Sequence, residues 1–209
     1  MAYSRLLAEL RRLPTYPEEL GLDLSKPEDR FKWLLASMLF AKRISAGIAL
    51  RAYRSLEARG YTSPEALLEA GWNAIVDALD EAGYVRYDFS TATYLLEAAK
   101  ALREAGGLEA VYEAAKDPRD LEARLMELKG VGPTAVSIFL RELRGVWSKA
   151  RPKPSRLAVE AAERLNIPSS QVEELEPRLV RLALEYCKRR RCQLCPVGWA
   201  CSSAGGAKV

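Results

Sequence analysis

The stretch LMELKGVGPTAVSIFLRELR, residues 125–144, decides how the chain is organised. Apolar residues at three- and four-residue spacing run as a helix into Leu128, and Pro133 begins a second helix. Between them, the Gly-Val-Gly sequence at 130–132 permits a tight turn with positive φ and close approach by another backbone. The start of the second helix leaves N–H groups unpaired, which is a ready site for a phosphate oxygen. The alternative is an ordinary corner between two helices, closed by a glycine cap.

Helix signals continue along nearly the whole chain. Ser63 followed by Pro64, and Asp117 followed by Pro118, each pair a capping residue with a proline at the first helical position. No stretch alternates polar and apolar residues over strand length, and no Asn-Gly or Asp-Gly pair marks a hairpin. The sequence therefore predicts an all-α fold of roughly ten helices.

The composition is that of an ordinary globular protein with a small positive charge. The chain has 209 residues, a formal net charge of +4 and no histidine. The absence of histidine excludes every mechanism that needs imidazole as a base or a ligand. The apolar runs are short and interrupted by charge, and the N-terminal MAYSRLLAELRRL lacks the apolar core of a signal peptide. We therefore expect a cytoplasmic protein with no membrane partner.

All the cysteines lie in CKRRRCQLCPVGWAC, residues 187–201. In a cytoplasmic protein, cysteines this close together more often bind a metal than form disulfides. Their spacing, C-x4-C-x2-C-x5-C, suits thiolate binding of zinc or of an iron–sulfur cluster. A reduced set of structural thiols is the third alternative. The predicted metal ligands are Cys187, Cys192, Cys195 and Cys201.

A wholly basic run fills the loop between the first two cysteines. If its ends are pinned to a metal, this loop presents its cations at fixed positions toward DNA phosphates, and binding weakens steeply with salt. The alternative is a solvated charge run without a binding role. The residues of this basic loop are Lys188, Arg189, Arg190 and Arg191.

The hairpin and the cysteines together resemble the helix-hairpin-helix DNA glycosylase superfamily that includes endonuclease III and the mismatch adenine glycosylase. LKGVGPTAVSIFL is similar to the family's hairpin, whose form is L-P-G-V-G, and the family's C-terminal four-cysteine motif holds a [4Fe–4S] cluster. FKWLLASMLFAKRIS is similar to the helix before the family's lesion-facing loop, and AGYVRYDFSTATYLLEAAKAL to the helix after it. The resemblance covers essentially the whole chain. Because the loop between the first two cysteines is shorter than the family's, zinc stays an alternative to the cluster.

This resemblance implies a fold of two helical lobes. One is a six-helix, barrel-like domain over residues 24–145 that ends in the hairpin, and the other is a cluster domain made of residues 1–23 with 146–209. It also implies a monomeric, nucleoid-associated DNA glycosylase of base-excision repair, which binds double-stranded DNA and acts on a damaged or mismatched base flipped out of the duplex.

The implied DNA-binding residues come from three stretches. Lys42 stands at the family's wedge position, which fills the gap left by the flipped base, and the alternative is an exposed basic helix end. The full set is Lys42, Arg43, Lys129, Gly130, Val131, Gly132, Thr134 and the basic loop.

The sequence departs from the family at both catalytic positions. Bifunctional members carry a lysine two residues after the second hairpin glycine, where this chain has Thr134. Since threonine cannot form a Schiff base, we expect no lyase step through this position. The family's aspartate, which caps the helix after the inter-lobe connection, is matched by Ser155, and serine preserves the cap but not the charge.

Three interpretations follow from these departures. The protein is a monofunctional glycosylase with a relocated carboxylate, for which Glu160 and Asp88 are candidates. Alternatively, a displaced lysine is the nucleophile, with Lys153 the first candidate and Lys149 and Lys129 the others. In the third interpretation, the protein is catalytically degenerate and recognises lesions or unusual DNA structures. A contrasting hypothesis is a metal-clamped helical interaction module without a DNA role.

Overall fold

The computed structural model describes residues 2–203, and the fold is all-α, as predicted. Within this range there are no strands, and none of the helices is long and apolar enough to cross a membrane. The α-helices of the described chain are α1 Ala2–Arg12, α2 Tyr16–Glu19, α3 Pro27–Phe40, α4 Ala46–Ala58, α5 Pro64–Glu81, α6 Asp88–Glu104, α7 Leu108–Ala114, α8 Pro118–Glu127, α9 Pro133–Glu142, α10 Arg156–Arg164 and α11 Val172–Leu182.

The helix starts predicted from capping residues are confirmed. Ser63 Oγ accepts a hydrogen bond at 3.1 Å from the N–H group three residues later. Asp117 Oδ1 accepts from the N–H groups two and three residues later, at 2.8 and 2.9 Å. Within α5, Gly71 has φ 75° and interrupts the helix. The two halves of α5 therefore meet at a kink.

The chain divides into two compact units. One is Leu20–Pro152, and the other combines the described residues up to Glu19 with those from Lys153 onward. The first unit contains α3 to α9, whereas α1, α2, α10 and α11 belong to the second. The sequence-based boundaries were 24–145 for one lobe and 1–23 with 146–209 for the other.

Helix α3 organises the core of the Leu20–Pro152 unit. It packs on α4, α7 and α9, while α5 packs along α6. Trp33 of α3 is fully buried, and its Nε1–H donates to the carbonyl of Phe139 in α9 at 3.3 Å. Tyr84 Oη donates to the carbonyl of Leu39 at 3.1 Å. These bonds satisfy the polar tips of buried aromatic side chains, and the first of them ties the hairpin helix α9 to α3.

Helix α11 organises the second unit, because α1 and α10 both pack against it. The chain continues from α11 through a π-helical turn at Ala183–Cys187 and short 3-10 turns at Cys192–Leu194 and Gly198–Ala200. Val197, between those turns, is fully buried in the same apolar cluster as Leu10 and Leu179. The cysteine segment is therefore anchored to the core of its own unit.

Candidate nucleic-acid interface

The predicted hairpin forms a tight turn between α8 and α9. The N–H group of Val131 donates to the carbonyl of Leu128 at 3.0 Å, and Val131 itself is buried. Gly130 has φ 82°, a left-handed conformation that favours glycine. Gly132 is extended, with φ −93°. The sequence-based expectation of positive φ therefore holds for the first of the two glycines.

The first turn of α9 has no side-chain cap. Gly132 occupies the capping position without a side chain, and Pro133 contributes no N–H group. Thr134 and Lys129, on either side of the turn, are exposed. Because helix N-termini carry a partial positive charge and unpaired N–H groups, this turn suits an anionic oxygen.

Tyr94 of α6 packs directly on the hairpin backbone. A Cβ atom placed on Gly130 would lie 2.5 Å from Tyr94 Cβ and 2.7 Å from its Cγ, far closer than van der Waals contact permits. The close approach expected at this turn therefore exists, but a tyrosine side chain makes it rather than another backbone. Gly130 is required both by its backbone conformation and by this contact.

Lys42 lies on the same tyrosine. Its Nζ atom is 4.8 Å from the centroid of the Tyr94 ring, a distance at which a cation and an aromatic face attract each other. Burial lowers the pKa of Lys42, and the residue makes no ion pair with any carboxylate of residues 2–203. We call these three residues the Lys42–Tyr94–Gly130 row. Arg43, the next residue along, is exposed.

The two positions that match the family's catalytic residues differ in their surroundings. Thr134 is the second residue of α9 and is exposed. Ser155 caps α10, as predicted, with its Oγ accepting from the N–H of Ala158 at 3.4 Å. The N–H group of Ser155 donates to Glu176 Oε1 at 2.7 Å. A carboxylate is therefore present at the start of α10, but it comes from α11.

Glu176 is the residue that sequence reasoning missed at this position. Its side chain is fully buried, and a buried carboxylate is costly unless hydrogen bonds compensate it. Its position on α11 could have identified it from the sequence, because it lies beside Val172, Leu175 and Leu179, which form the apolar face of that helix. A glutamate at such a position indicates an internal partner, although the sequence does not identify Ser155 as that partner.

The displaced carboxylates proposed from the sequence have other partners. Glu160 accepts a hydrogen bond from Arg156 Nε at 2.6 Å, one helical turn away, and Arg156 is highly exposed. Asp88 is buried and accepts from the N–H of Phe89 at 2.7 Å. A side-chain hydrogen bond with Asp88 raises the pKa of Asp80. Glu160 is thus a surface charge, and Asp88 joins a carboxyl pair at the start of α6.

The three lysines proposed as displaced nucleophiles also differ. Lys149 donates to the carbonyls of Tyr112 and Ala115 at 2.5 and 2.7 Å, and so stabilises the end of α7. Its amine is fully engaged in holding the backbone. Lys153 and Lys129 are exposed.

The four thiols are unpaired and lie close enough to influence one another. None forms a disulfide, and Cys192 is exposed while the others are half-buried. Burial raises the pKa of Cys187 and of Cys195, and the neighbouring cysteines raise both further. The turns are tight, since a Cβ atom on Gly198 would lie 2.8 Å from the carbonyl oxygen of Cys192.

The donor chemistry of the four thiols fits a metal. Four cysteines in one short segment are the donors that zinc and iron–sulfur clusters use. However, no three Cys, Asp or Glu side chains between residues 2 and 203 are arranged so that they could hold a metal ion. A metal centre at these four cysteines therefore stays a prediction from the sequence.

The basic loop presents most of its charge to solvent. All four of its residues are exposed. Arg189 pairs with Glu185 at 3.1 Å, whereas Lys188, Arg190 and Arg191 have no carboxylate partner in the described part of the chain. Arg190 also has φ 53°, which is uncommon for a residue other than glycine. The loop is therefore a compact cationic turn.

Comparison with known proteins adds no relative: no family model and no curated protein matches the chain.

Proposed function

We propose that this chain is a DNA-binding protein of base-excision repair, similar to endonuclease III, and that its hairpin binds the sugar–phosphate backbone of double-stranded DNA. The observation that carries the proposal is the Lys42–Tyr94–Gly130 row beside the uncapped start of α9. It combines an unpaired cation, an aromatic side chain and a glycine turn next to free N–H groups. Phosphate contacts of this kind position a protein on a duplex.

The exposed basic loop supports the same partner independently. Three of its four cations have no internal carboxylate within the described residues. Cations left unpaired by their own chain are free to neutralise phosphates, and counterion release then drives binding. In this proposal, the basic loop and the hairpin both contribute to affinity.

The activity we infer is removal of a damaged or mismatched base that has been flipped out of the duplex. Neither Thr134 nor Ser155 supplies the usual lysine or carboxylate, so such a glycosylase is monofunctional or uses a relocated residue. The second candidate function is a catalytically degenerate protein that binds lesions or unusual DNA structures. It is favoured by the inward direction of Glu176, which leaves the start of α10 without an exposed carboxylate.

The third candidate is a helical interaction module without a DNA role. Exposed apolar side chains on α5, on α6 and in the loop between them favour it: Trp72 is 39 % exposed, Val85 64 % and Phe89 59 %. The rings of Trp72 and Phe89 lie 5.3 Å apart. Arg86 is a single exposed cation next to Val85, whereas the basic loop has four consecutive exposed cations, so we rank this function below DNA binding.

We further propose that Cys187, Cys192, Cys195 and Cys201 hold a [4Fe–4S] cluster, with zinc as the alternative. Bound metal would fix the ends of the basic loop and thereby order its cations. No chemical step on DNA is assigned to it. The protein is proposed to act as a monomer in the cytoplasm, associated with the nucleoid.

Binding of fluorescent duplexes, followed by anisotropy across a salt series, tests the DNA proposal. Affinity should fall steeply as salt rises, because phosphate contacts release counterions. Strand scission of a panel of damaged and mismatched duplexes after hot alkali then separates a glycosylase from an inert binder. Affinity that does not change with salt, or no binding at low salt, would refute the DNA role.

A further inference from the structure

The cysteine segment leaves Leu194 in solvent although an apolar core lies within its reach. Leu194 is 72 % exposed, more than any other large hydrophobic residue of the described chain. Val197, three residues later, is fully buried in the core of the unit. Trp199, the other exposed large apolar residue of the segment, lies against the Arg5 guanidinium at 4.8 Å. A lone exposed leucine needs no explanation by itself, so its surroundings decide whether it has a role.

Backbone hydrogen bonds fix the position of Leu194 beside the basic loop. Its N–H group donates to the carbonyl of Arg191 at 3.1 Å, and the N–H of Cys195 donates to the carbonyl of Cys192 at 3.2 Å. The N–H of Arg191 in turn donates to the carbonyl of Tyr186 at 2.9 Å. The leucine and the end of the basic loop are therefore held together in one folded turn. A partner that covers both loses little affinity to ordering of this backbone.

The surroundings of Leu194 are exposed and cationic. Residues 188–194 are all exposed, and this run contains four cations and no carboxylate. The cations nearest to the leucine in sequence, Arg190 and Arg191, have no ion-pair partner among residues 2–203. An apolar side chain among unpaired cations matches a polyanion that also offers apolar surface. The DNA backbone is such a partner, because the C–H groups of deoxyribose lie between its phosphates.

We propose that Leu194 is an apolar DNA contact, which buries its side chain against the deoxyribose of the strand whose phosphates the basic loop binds. This inference rests on the proposed DNA function. Anionic lipid surfaces also combine charge with apolar groups, but proteins bind them through a broad apolar helix face rather than through isolated side chains. The observed combination of one apolar side chain with a run of cations therefore favours DNA.

The proposed contact predicts that DNA affinity has two parts with different salt dependence. Phosphate contacts of the cations release counterions, so they set the slope of log K against log salt concentration. Burial of Leu194 removes apolar surface from water and releases no counterion. It therefore raises log K by nearly the same amount at every salt concentration and leaves the slope unchanged.

Leu194→Ala removes the apolar contact and keeps every cation. Val159→Ala is the matched control, since Val159 is an exposed apolar residue of α10 in the same unit. Because both side chains are exposed, urea denaturation of the two variants should give the wild-type midpoint. A change in DNA binding then reports the contact and not the fold.

The experiment is anisotropy of an undamaged fluorescent duplex across a salt series, with full-length protein purified anaerobically. Leu194→Ala should bind about ten-fold more weakly than wild type at each salt concentration, as expected when one aliphatic side chain is no longer buried. Its slope should equal that of wild type. Val159→Ala should match wild type in both affinity and slope.

The other outcomes separate failure of this inference from failure of the DNA function. Wild-type affinity in Leu194→Ala, or an equal loss in Val159→Ala, overturns the contact and leaves salt-dependent DNA binding standing. A smaller slope in Leu194→Ala also overturns it, because the substitution has then displaced the cations. So does a loss confined to vesicles of phosphatidylglycerol and phosphatidylcholine, which assigns Leu194 to a lipid surface. Absence of DNA binding by wild type at low salt removes both proposals.

Discussion

Replacing Gly130 by alanine should destabilise the protein because two separate costs meet at this residue. Its left-handed backbone costs about 1–2 kcal/mol for a residue with a Cβ atom. The new Cβ would lie 2.5 Å from Tyr94 Cβ, and forcing an atom into a packed site typically costs about 1–3 kcal/mol. Alanine also restricts the unfolded chain, which offsets about 0.4–1 kcal/mol. The net loss is therefore about 1.5–4 kcal/mol.

Urea denaturation measures this loss, and thermal unfolding provides a second estimate. For a chain of this size, 1 kcal/mol corresponds to about 2–4 °C, so the melting temperature should fall by roughly 3–16 °C. Gly132→Ala is the control. Gly132 is extended and a Cβ there meets nothing within 4 Å, so the free energy of unfolding should change by less than about 0.5 kcal/mol.

A double-mutant comparison isolates the contact with Tyr94. In a Tyr94→Gly background, which removes the Cβ atom as well as the ring, the clash at Gly130 is relieved, and Gly130→Ala should cost only the backbone term of about 1–2 kcal/mol. If the two glycine substitutions cost the same in the wild-type background, the turn geometry argued above is wrong. If the cost of Gly130→Ala is unchanged without Tyr94, the contact does not govern this turn.

Three further predictions concern the second unit. Arg190→Ala combined with Arg191→Ala should reduce the magnitude of the slope of log K for DNA binding against log salt concentration by about 2. Alanine at Arg11 and Arg12, which pair with carboxylates, should leave that slope unchanged. If the loop variant and the wild-type protein have the same slope, the basic loop does not contact DNA. Glu176→Ala should cost about 1–3 kcal/mol in urea denaturation because the N–H of Ser155 loses its buried acceptor, while alanine at the neighbouring exposed Glu174 should cost under about 0.5 kcal/mol. Anaerobically purified protein should contain about four irons per chain and absorb broadly near about 400 nm; one zinc would indicate the alternative metal, and metal-free protein would contradict both.

Local patterns in the sequence predicted the helices and the hairpin because the residues involved cap or turn the backbone within a few positions of themselves. Ser63 and Asp117 cap helices that begin one residue later. The Gly-Val-Gly sequence marked the turn before Pro133 for the same reason. Capping and turn geometry depend on a few consecutive residues, so a single sequence is enough to identify them.

Contacts between distant segments were beyond the reach of those signals. Tyr94 lies 36 residues before Gly130 and 52 after Lys42 in the sequence, and nothing in the local pattern relates the three. The sequence also did not show the partners of Lys149, a candidate nucleophile by position, whose amine donates to backbone carbonyls at the end of α7. Tertiary packing decides which lysine is held and which is half-buried.

The start of α10 explains why Ser155 is tolerated in the fold and why it narrows the chemistry. A helix N-terminus is stabilised by a nearby carboxylate, and Glu176 provides one from the inside. The helix therefore does not need an aspartate at position 155 for its stability. However, a fully buried carboxylate bonded to a backbone N–H cannot reach a sugar or activate water at the protein surface.

It follows that a carboxylate mechanism at the start of α10 would require Glu176 to leave its buried site, at the cost of an unsatisfied N–H group. Within the proposed DNA function, the buried Glu176 therefore favours binding over carboxylate chemistry at the start of α10.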